Sequence, residues 1–405
     1  GERVRMAVDA EHKRWLRGHA VEILEAAPER VAAPCGLADR CGGCGWQHVD
    51  AAAQAELKRR IVAGQLRRLP IAVERVQPSP QALGYRRRAR VHYRRSGETL
   101  TLGFYGQRSH EIVDCERCVV LDPALDWALQ QVRAWTRWLP ERGEVLGLSN
   151  GREVVLGLPG VRADAELEAA IRAVIDASAE GEDSPVLLGV QLRGSRERVG
   201  VGQTWLELDA VPGSVTPPVV QGPFTFSQAQ AAQNHALVEH VATMAAGGGM
   251  MAGGGEPRIL ELHAGVGNFT RRLARVGKRV WTLDGDREAV ANLQRTVELW
   301  QLPVNVKRGQ AERLLGKLAA GDRRYDVVVL DPPRAGIGEQ AARDLLRVVS
   351  DRVVYVSCDP ATLARDLAVL LAKDSGLALV DLRVFDMMPM TAEVEVVATL
   401  ARKSR

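Results

Sequence analysis

The chain has no run of 18 apolar residues among its 405, so no stretch reads as a membrane-spanning helix. Its first residues lack the apolar core of a signal peptide, and we expect a cytoplasmic protein. Cysteine is scarce: Cys35, Cys41, Cys44, Cys115, Cys118 and Cys358 are all there are. In a reducing compartment, thiols so few and so placed read as ligands or nucleophiles rather than disulfides. Net charge is also small, +4 overall, but it is unevenly spread. Between Glu56 and Arg108 stand thirteen Lys or Arg against three Glu, a local excess that suits a polyanion, with a merely solvated face as the bland alternative. The length exceeds what one core organises, so two or three domains are expected.

What is present falls into order along the chain. Arg3–Val8 and His19–Leu24 alternate like strands, with basic residues Lys13, Arg14 and Arg17 between them. So few strands are not stable alone, and residues 1–34 are expected to be part of a small barrel. Cys35, Cys41 and Cys44 follow in a C-x5-C-x2-C run, in which Gly42 and Gly43 let the backbone close around a small object. A fourth thiol from Cys115 or Cys118 would complete a four-thiolate site. The uneven spacing favours a [4Fe–4S] cluster, with zinc as the alternative. Asp50–Leu69 reads as a helix with Lys58, Arg59, Arg60, Arg67 and Arg68 on its polar face. Tyr85–Tyr93 reads as a strand whose period of two sets Arg86, Arg88 and Arg90 on one side, where phosphates are the natural partners. Residues 119–220 mix strands and helices without a chemical signal. Gly247–Gly255 is a flexible loop by composition.

From Arg258 onward strands and helices alternate as in a doubly wound parallel sheet. Ile259–Leu262 leads into Gly265-Val-Gly267 and a helix, and Asp284 ends the next strand, where an acid can hold ribose hydroxyls. A dinucleotide and S-adenosylmethionine share this layout. Thr270 stands where the dinucleotide pattern wants its third glycine, which disfavours NAD. Tyr325–Leu330 is a buried strand ending in Asp331-Pro-Pro-Arg334, and Val353–Val356 another, ending in Ser357-Cys358-Asp359-Pro360 before a helix with Leu363, Leu367 and Leu370 on one face. Ligands of such sheets sit at the carboxyl ends of strands, so Cys358 is placed as a nucleophile, with a structural thiol as its rival.

Taken together, Phe226-Ser-Gln228, Glu261–Thr270, Asp331–Arg334, Ser357–Asp366 and Pro389–Glu395, with the cysteines and Ile112–Cys118 upstream, resemble the S-adenosylmethionine-dependent RNA uracil-5 methyltransferases. The cysteine pattern is similar to that of the iron–sulfur ribosomal-RNA branch. The resemblance spans nearly the whole chain. It implies an α/β fold with a C-terminal Rossmann-like methyltransferase domain, a β-rich central domain with an iron–sulfur site, and part of an N-terminal TRAM (OB-like) barrel, divided as 1–34, 35–220 and 221–405. The helix at 50–69 is expected against the C-terminal domain. The resemblance implies Cys358 as the nucleophile that adds to uracil C6 and Glu395 as the base for the C5 proton. It implies Gln228, His263, Gly265, Gly267, Asn268, Asp284, Gln310 and Asp331 for the cofactor S-adenosylmethionine. It implies Cys35, Cys41, Cys44 and Cys118 for the [4Fe–4S] cluster, leaving Cys115 free.

Asp359 or Arg334 is a candidate for the uracil edge. Departures from the family pattern are His263 in place of an aromatic, Gln230 in place of Asn, and Glu393 in place of His. The expected partner is RNA, 23S rRNA first and tRNA as the alternative, bound by a monomer. A non-catalytic RNA-binding protein with a relict methyltransferase domain is the rival of another class, against which intact Cys358 and Glu395 argue.

Overall fold

The computed structural model describes every residue except Arg14, Arg75, Glu182, 210–213, 248–255, Lys278 and 404–405. Most of the glycine-rich Gly247–Gly255 stretch and the Arg14 of the basic turn therefore lie outside the described residues. None of the described helices is long and apolar enough to cross a membrane.

Strands β1 (Arg3–His12) and β2 (Trp15–Glu25) pair antiparallel as a two-stranded ribbon. Met6, Val8, Trp15, Leu16, Val21, Ile23 and Leu24 are exposed on it. Helix α1 (Ala51–Leu66) follows, with the Asp50 carboxylate capping the Ala52 and Ala53 amides. The short strand β3 (Val76–Gln77) comes next. Both belong spatially to the C-terminal domain: Val62, Leu66, Val73 and Val76 are buried in its core, and β3 forms the edge of its sheet. Residues expected to belong to the 35–220 unit thus supply a helix and a strand to the C-terminal core and sheet.

The central sheet orders its strands β10-β9-β8-β7-β4-β5-β6. They are β4 (Arg88–Ser96), β5 (Thr99–Tyr105), β6 (Ile112–Asp114), β7 (Arg142–Ser149), β8 (Glu153–Pro159), β9 (Val186–Arg193) and β10 (Arg198–Gly202). Helices α2 (Pro123–Gln131) and α3 (Ala165–Ser178) cover it. After Gln131 helix α2 tightens into a 3-10 segment, Val132–Trp138, in which Trp135 is buried. A small ribbon, β11 (Leu206–Leu208) with β12 (Val219–Gln221), connects this domain to the next.

The C-terminal sheet is eight-stranded, ordered β15-β14-β13-β16-β17-β19-β18-β3. Its elements, after α4 (Ala231–Ala245), are β13 (Arg258–Leu262), α5 (Thr270–Leu273), β14 (Arg279–Asp284), α6 (Arg287–Leu299), β15 (Val304–Arg308), α7 (Ala311–Ala319), β16 (Tyr325–Leu330), α8 (Gly338–Val348), β17 (Val349–Ser357), α9 (Pro360–Leu370), β18 (Leu377–Phe385) and β19 (Glu395–Arg402). Strands β13 to β17 are parallel neighbours and β19 runs antiparallel to β17. Val353, Val354, Tyr355 and Val356 are fully buried because helices cover both faces of this strand. α9 starts at Pro360, with its Leu363, Leu367 and Leu370 in the core.

Candidate active site and cysteine centre

The parallel strands end on one edge, and so His263, Asp284, Asp331 and Cys358 follow or end β13, β14, β16 and β17 on that same edge. Glu395 reaches it by the opposite route. As the first residue of antiparallel β19, next to the Ser357–Val396 pair, it lies across from Cys358. These groups line one cleft of about 580 Å³ between the two domains. Of the residues expected at the cofactor, Gln228, His263, Gly265, Asn268, Asp284 and Asp331 line it. Gly267 and Gln310 do not. Gly267 has φ +96°, and a Cβ there would meet Leu293 Cδ1 at 2.5 Å, so this glycine serves the approach of α6. The Gln310 side chain lies beside Gly285, just past Asp284.

The turn after β13 is held from beneath. The Asp284 carboxylate accepts from the Gly265 amide at 2.8 Å and from the Asp286 amide at 2.8 Å. Asn268 and Asn234 exchange side-chain amide bonds, each 2.9 Å. Asn234 also donates to Asp209 at 2.6 Å, and Asp209 pairs with the buried Arg271 at 3.1 Å. Nothing in the sequence pointed to Asp209, Asn234 or Arg271, because the network joins the linker after β11 to α4 and α5. His263 sits in the left-handed region at φ +57°. Burial lowers its imidazole pKa below the ordinary value, which favours the neutral ring at pH 7.

The chemistry-bearing groups repel one another as anions. Burial first, then the nearby Glu395 and Asp331 carboxylates, push the Cys358 thiol up to about 11, against the pull of Arg334. Burial, then Asp331 and Glu393, raise Glu395 well above the usual carboxylate range. Burial, then Asp284, raise Asp331 to about 7. Arg334 is ion-paired to Glu393, so the carboxylate standing in for the family's His holds the arginine at the cleft's rim. The Asp359 carboxylate caps the helix that follows, accepting from the Ala361 and Thr362 amides at 2.9 Å each. Gln230 is buried and donates to Ser79 Oγ at 2.7 Å, tying α4 to the proline segment Pro78–Pro80. Four buried polar atoms on the cleft wall, Gln221 Oε1, Ser227 Oγ, His263 Nε2 and Glu395 Oε1, have no hydrogen-bond partner, as in a site built for a polar ligand.

Two basic features differ from the sequence reading. Lys58 was expected on an exposed face; it is fully buried, ion-paired with Asp386 and donating to the Met388 carbonyl at 3.0 Å. The arginine row is not an open phosphate rail. Arg86 donates to the Arg88 carbonyl at 3.1 Å, Arg88 to the Thr225 carbonyl at 3.1 Å, and Arg90 faces Glu144 at 3.4 Å. β4 begins only at Arg88, leaving Arg86 and Arg87 in the seam between the domains.

Below the seam lie the cysteines. The Leu37 amide donates to Cys35 Sγ and the Gly43 amide to Cys41 Sγ, each at 3.4 Å, the bonds that stabilise thiolate ligands. Burial raises the Cys41 and Cys44 thiols, and Cys118 lies close enough to both to add to the rise, as Cys35 does for Cys41. The Cys115 thiol hydrogen-bonds Cys118, which raises Cys115 and brings Cys118 down to about 7. Among the described residues no three His, Cys, Asp or Glu side chains converge as a ready metal group. The donor chemistry fits a four-thiolate ligand set in which Cys115 serves as hydrogen-bond donor. Cys44 and Cys118 pack with Tyr85, Val120, Met388 and Met390, and so touch the loop that precedes Glu395.

Comparison with known proteins adds to this geometry. The model of the tRNA (Uracil-5-)-methyltransferase family matches residues 220–403. A 23S rRNA (uracil(1939)-C(5))-methyltransferase of Chromohalobacter salexigens is 34% identical over 99% of this chain and 83% of its own length. The enzyme of the same description from Pseudomonas putida is 34% identical over 94% of this chain and 84% of its own. Among solved structures, the Pyrococcus abyssi tRNA (uracil-54, C5)-methyltransferase in complex with S-adenosyl-L-homocysteine superposes with a TM-score of 0.72 at 23% identity, covering 98% of this chain and 91% of that one. Its likeness shows the α/β fold of an S-adenosylmethionine-dependent methyltransferase.

Proposed function

The chain belongs to the RNA uracil-5 methyltransferase family, and we propose that it methylates C5 of one uridine in 23S rRNA from S-adenosylmethionine, through a covalent bond between Cys358 and uracil C6. The convergence of Cys358 and Glu395 at the end of adjacent strands, in a cleft with Asp284 and Asp331, is the observation that carries this reading.

Uracil C5 is a weak nucleophile. The Cys358 thiolate adds to C6; the S–C6 bond forms and the C5–C6 π pair moves onto C5 and the O4 enolate. S-adenosylmethionine, when bound, supplies a sulfonium methyl to that carbon, its S–CH3 pair staying on sulfur as it leaves as S-adenosylhomocysteine. The Glu395 carboxylate then removes the C5 proton, the released pair restores the C5–C6 double bond, and the Cys358 thiolate departs. Asp284 is assigned to the ribose of the cofactor, with Gln228, His263, Gly265, Asn268, Gln310 and Asp331 around the rest and Gly267 shaping the turn. The target base has to leave its stack to reach Cys358.

Cys35, Cys41, Cys44 and Cys118 would hold a [4Fe–4S] cluster, which would cross-link the segment packed against the Glu395 loop rather than supply chemistry to methyl transfer. A brown protein with a broad visible absorbance supports it; a colourless protein carrying zinc overturns it. We assign the β1–β2 ribbon to a small RNA-binding barrel. Every group in the scheme comes from one chain, so a monomer suffices, and an RNA substrate suits the cytoplasm.

The decisive experiment traps the adduct. RNA containing 5-fluorouridine, incubated with enzyme and S-adenosylmethionine, should form a gel-stable complex that Cys358→Ala abolishes, because fluorine at C5 cannot leave as a proton does. Absence of an adduct on any RNA would favour a non-catalytic RNA-binding protein. Mapping 5-methyluridine in both RNAs of a deletion strain separates 23S rRNA from tRNA; loss confined to tRNA would establish the second substrate, which the family model's description keeps in view.

A further inference from the structure

The lining of the cleft is rich in acids, namely Asp209, Asp284, Asp286, Asp331 and Glu395. Its cations are few. His263 is neutral at pH 7, and Arg334 is spent on Glu393. Among the described residues of the lining, the remaining one is Arg87. Its neighbours Arg86 and Arg88 donate to backbone carbonyls, whereas the Arg87 guanidinium has no hydrogen bond or ion pair to any of the described residues. Its backbone is fixed from both domains: the Arg87 amide donates to the Ala229 carbonyl at 2.9 Å, and its carbonyl accepts from the Ser149 amide at 2.8 Å. Room for the guanidinium is made by Gly151, at φ +110°, where a Cβ would stand 2.7 Å from Arg87 Nη2. A half-buried guanidinium, unpaired among the described residues and set on the wall of a cleft lined by carboxylates, is suited to receive an anion.

We propose that Arg87 binds a phosphate of the target nucleotide as the uridine enters the cleft. This rests on the reading of the chain as an RNA uracil-5 methyltransferase. A polyanion entering an acidic cleft needs a local countercharge, and Arg87 supplies it from the central domain, opposite the Cys358 edge of the sheet. The site thereby couples seating of the backbone to delivery of the base. The other anion that enters this cleft is the carboxylate at the amino-acid end of S-adenosylmethionine, and the test distinguishes the two.

Arg87→Gln and Arg87→Lys are compared with the unmodified enzyme on transcripts of 23S rRNA and of tRNA, whichever the latter methylates. Arg87→Gln should weaken RNA binding about tenfold, the loss of one charge-assisted hydrogen-bonding pair. It should also flatten the slope of log affinity against log salt by about one phosphate contact. Binding of S-adenosylmethionine should not change, and Arg87→Lys should restore the salt slope. RNA affinity and slope unaltered in Arg87→Gln, or a loss confined to S-adenosylmethionine, would overturn the assignment while leaving the methyltransferase reading intact. An unmodified enzyme that methylates neither transcript would instead sink the parent reading and this one with it.

Discussion

Cys358 is poorly suited to be an anion where it stands, and that has a measurable consequence. A thiol held near 11 is neutral at pH 7, and each unit of rising pH gives about tenfold more thiolate. Glu395 is shifted in the same direction, so the reactive pair, thiolate plus carboxylate, gains population as pH rises. The kcat/KM for RNA, which reports the free enzyme, should therefore climb between about pH 7 and 9, and a flat profile would contradict the assignment of these two groups. Arg334 pulls the Cys358 thiol down. Arg334→Gln should lower activity at pH 7 and recover part of it at pH 9, a pattern that loss of a purely structural ion pair would not give. The sequence made Cys358 legible through its strand and its position. It did not reveal that Glu393 would pair with Arg334, because that pairing joins loops from opposite sides of the site.

At the scale of elements, the loop between β18 and β19 stands out, since it carries the chain into Glu395. It is held by segments far from it in sequence. The Trp46 amide donates to the Met390 carbonyl at 2.9 Å, the Met390 amide to Gln54 Oε1 at 2.8 Å, and the Tyr85 hydroxyl to the Pro389 carbonyl at 3.0 Å. Lys58 adds its bond to the Met388 carbonyl. Met390 takes φ +65°, a conformation that such external bonds sustain. Gln54→Ala leaves a buried amide unpaired and should cost about 1–3 kcal/mol of stability. Its sharper effect is on Glu395: turnover should fall at least about tenfold, as small misplacements of a catalytic group do. Trapping by 5-fluorouridine RNA should persist, because it requires Cys358 but no proton removal. Equal loss of trapping and turnover would refute a positioning role. Period-two and 3.6-residue patterns made strands such as Val353–Val356 and the Leu363–Leu367–Leu370 face of α9 readable. They misled at Lys58 and along Arg86–Arg90. Whether a cation is buried depends on partners such as Asp386 and Thr225, which are distant in sequence and invisible to local periodicity.

For the whole molecule, the wall of the cleft is complete only while the two large domains stay docked, because Arg87, Leu148 and Ser149 come from one and Cys358 and Glu395 from the other. Besides the bonds at Arg87 and Arg88, one tie carries particular weight. Arg193, at the end of β9, is ion-paired with Glu288 at the start of α6, and its guanidinium lies 3.3 Å from the centre of the Phe224 ring. Both charges are largely shielded, with side chains 18% and 28% exposed, so solvent screens the pair less than a surface one. The stacking on Phe224 adds a cation–π contribution of about 1 kcal/mol. Arg193→Ala removes the pair and the stack together and leaves Glu288 facing the seam alone. We expect the melting temperature to fall by about 2–4 °C for each kcal/mol lost. We also expect the central and C-terminal domains to begin unfolding separately, seen as a broadened or split calorimetric transition. The cofactor groups all reside on the C-terminal side, so S-adenosylmethionine should still bind and should raise only the transition belonging to that domain. RNA affinity should drop, since Arg87 and the C-terminal groups would no longer be held in register. If Arg193→Ala melted in one sharp transition with RNA affinity intact, docking would have to rest on the backbone bonds of Arg87 with Ala229 and Ser149, and the Arg193 tie would be incidental.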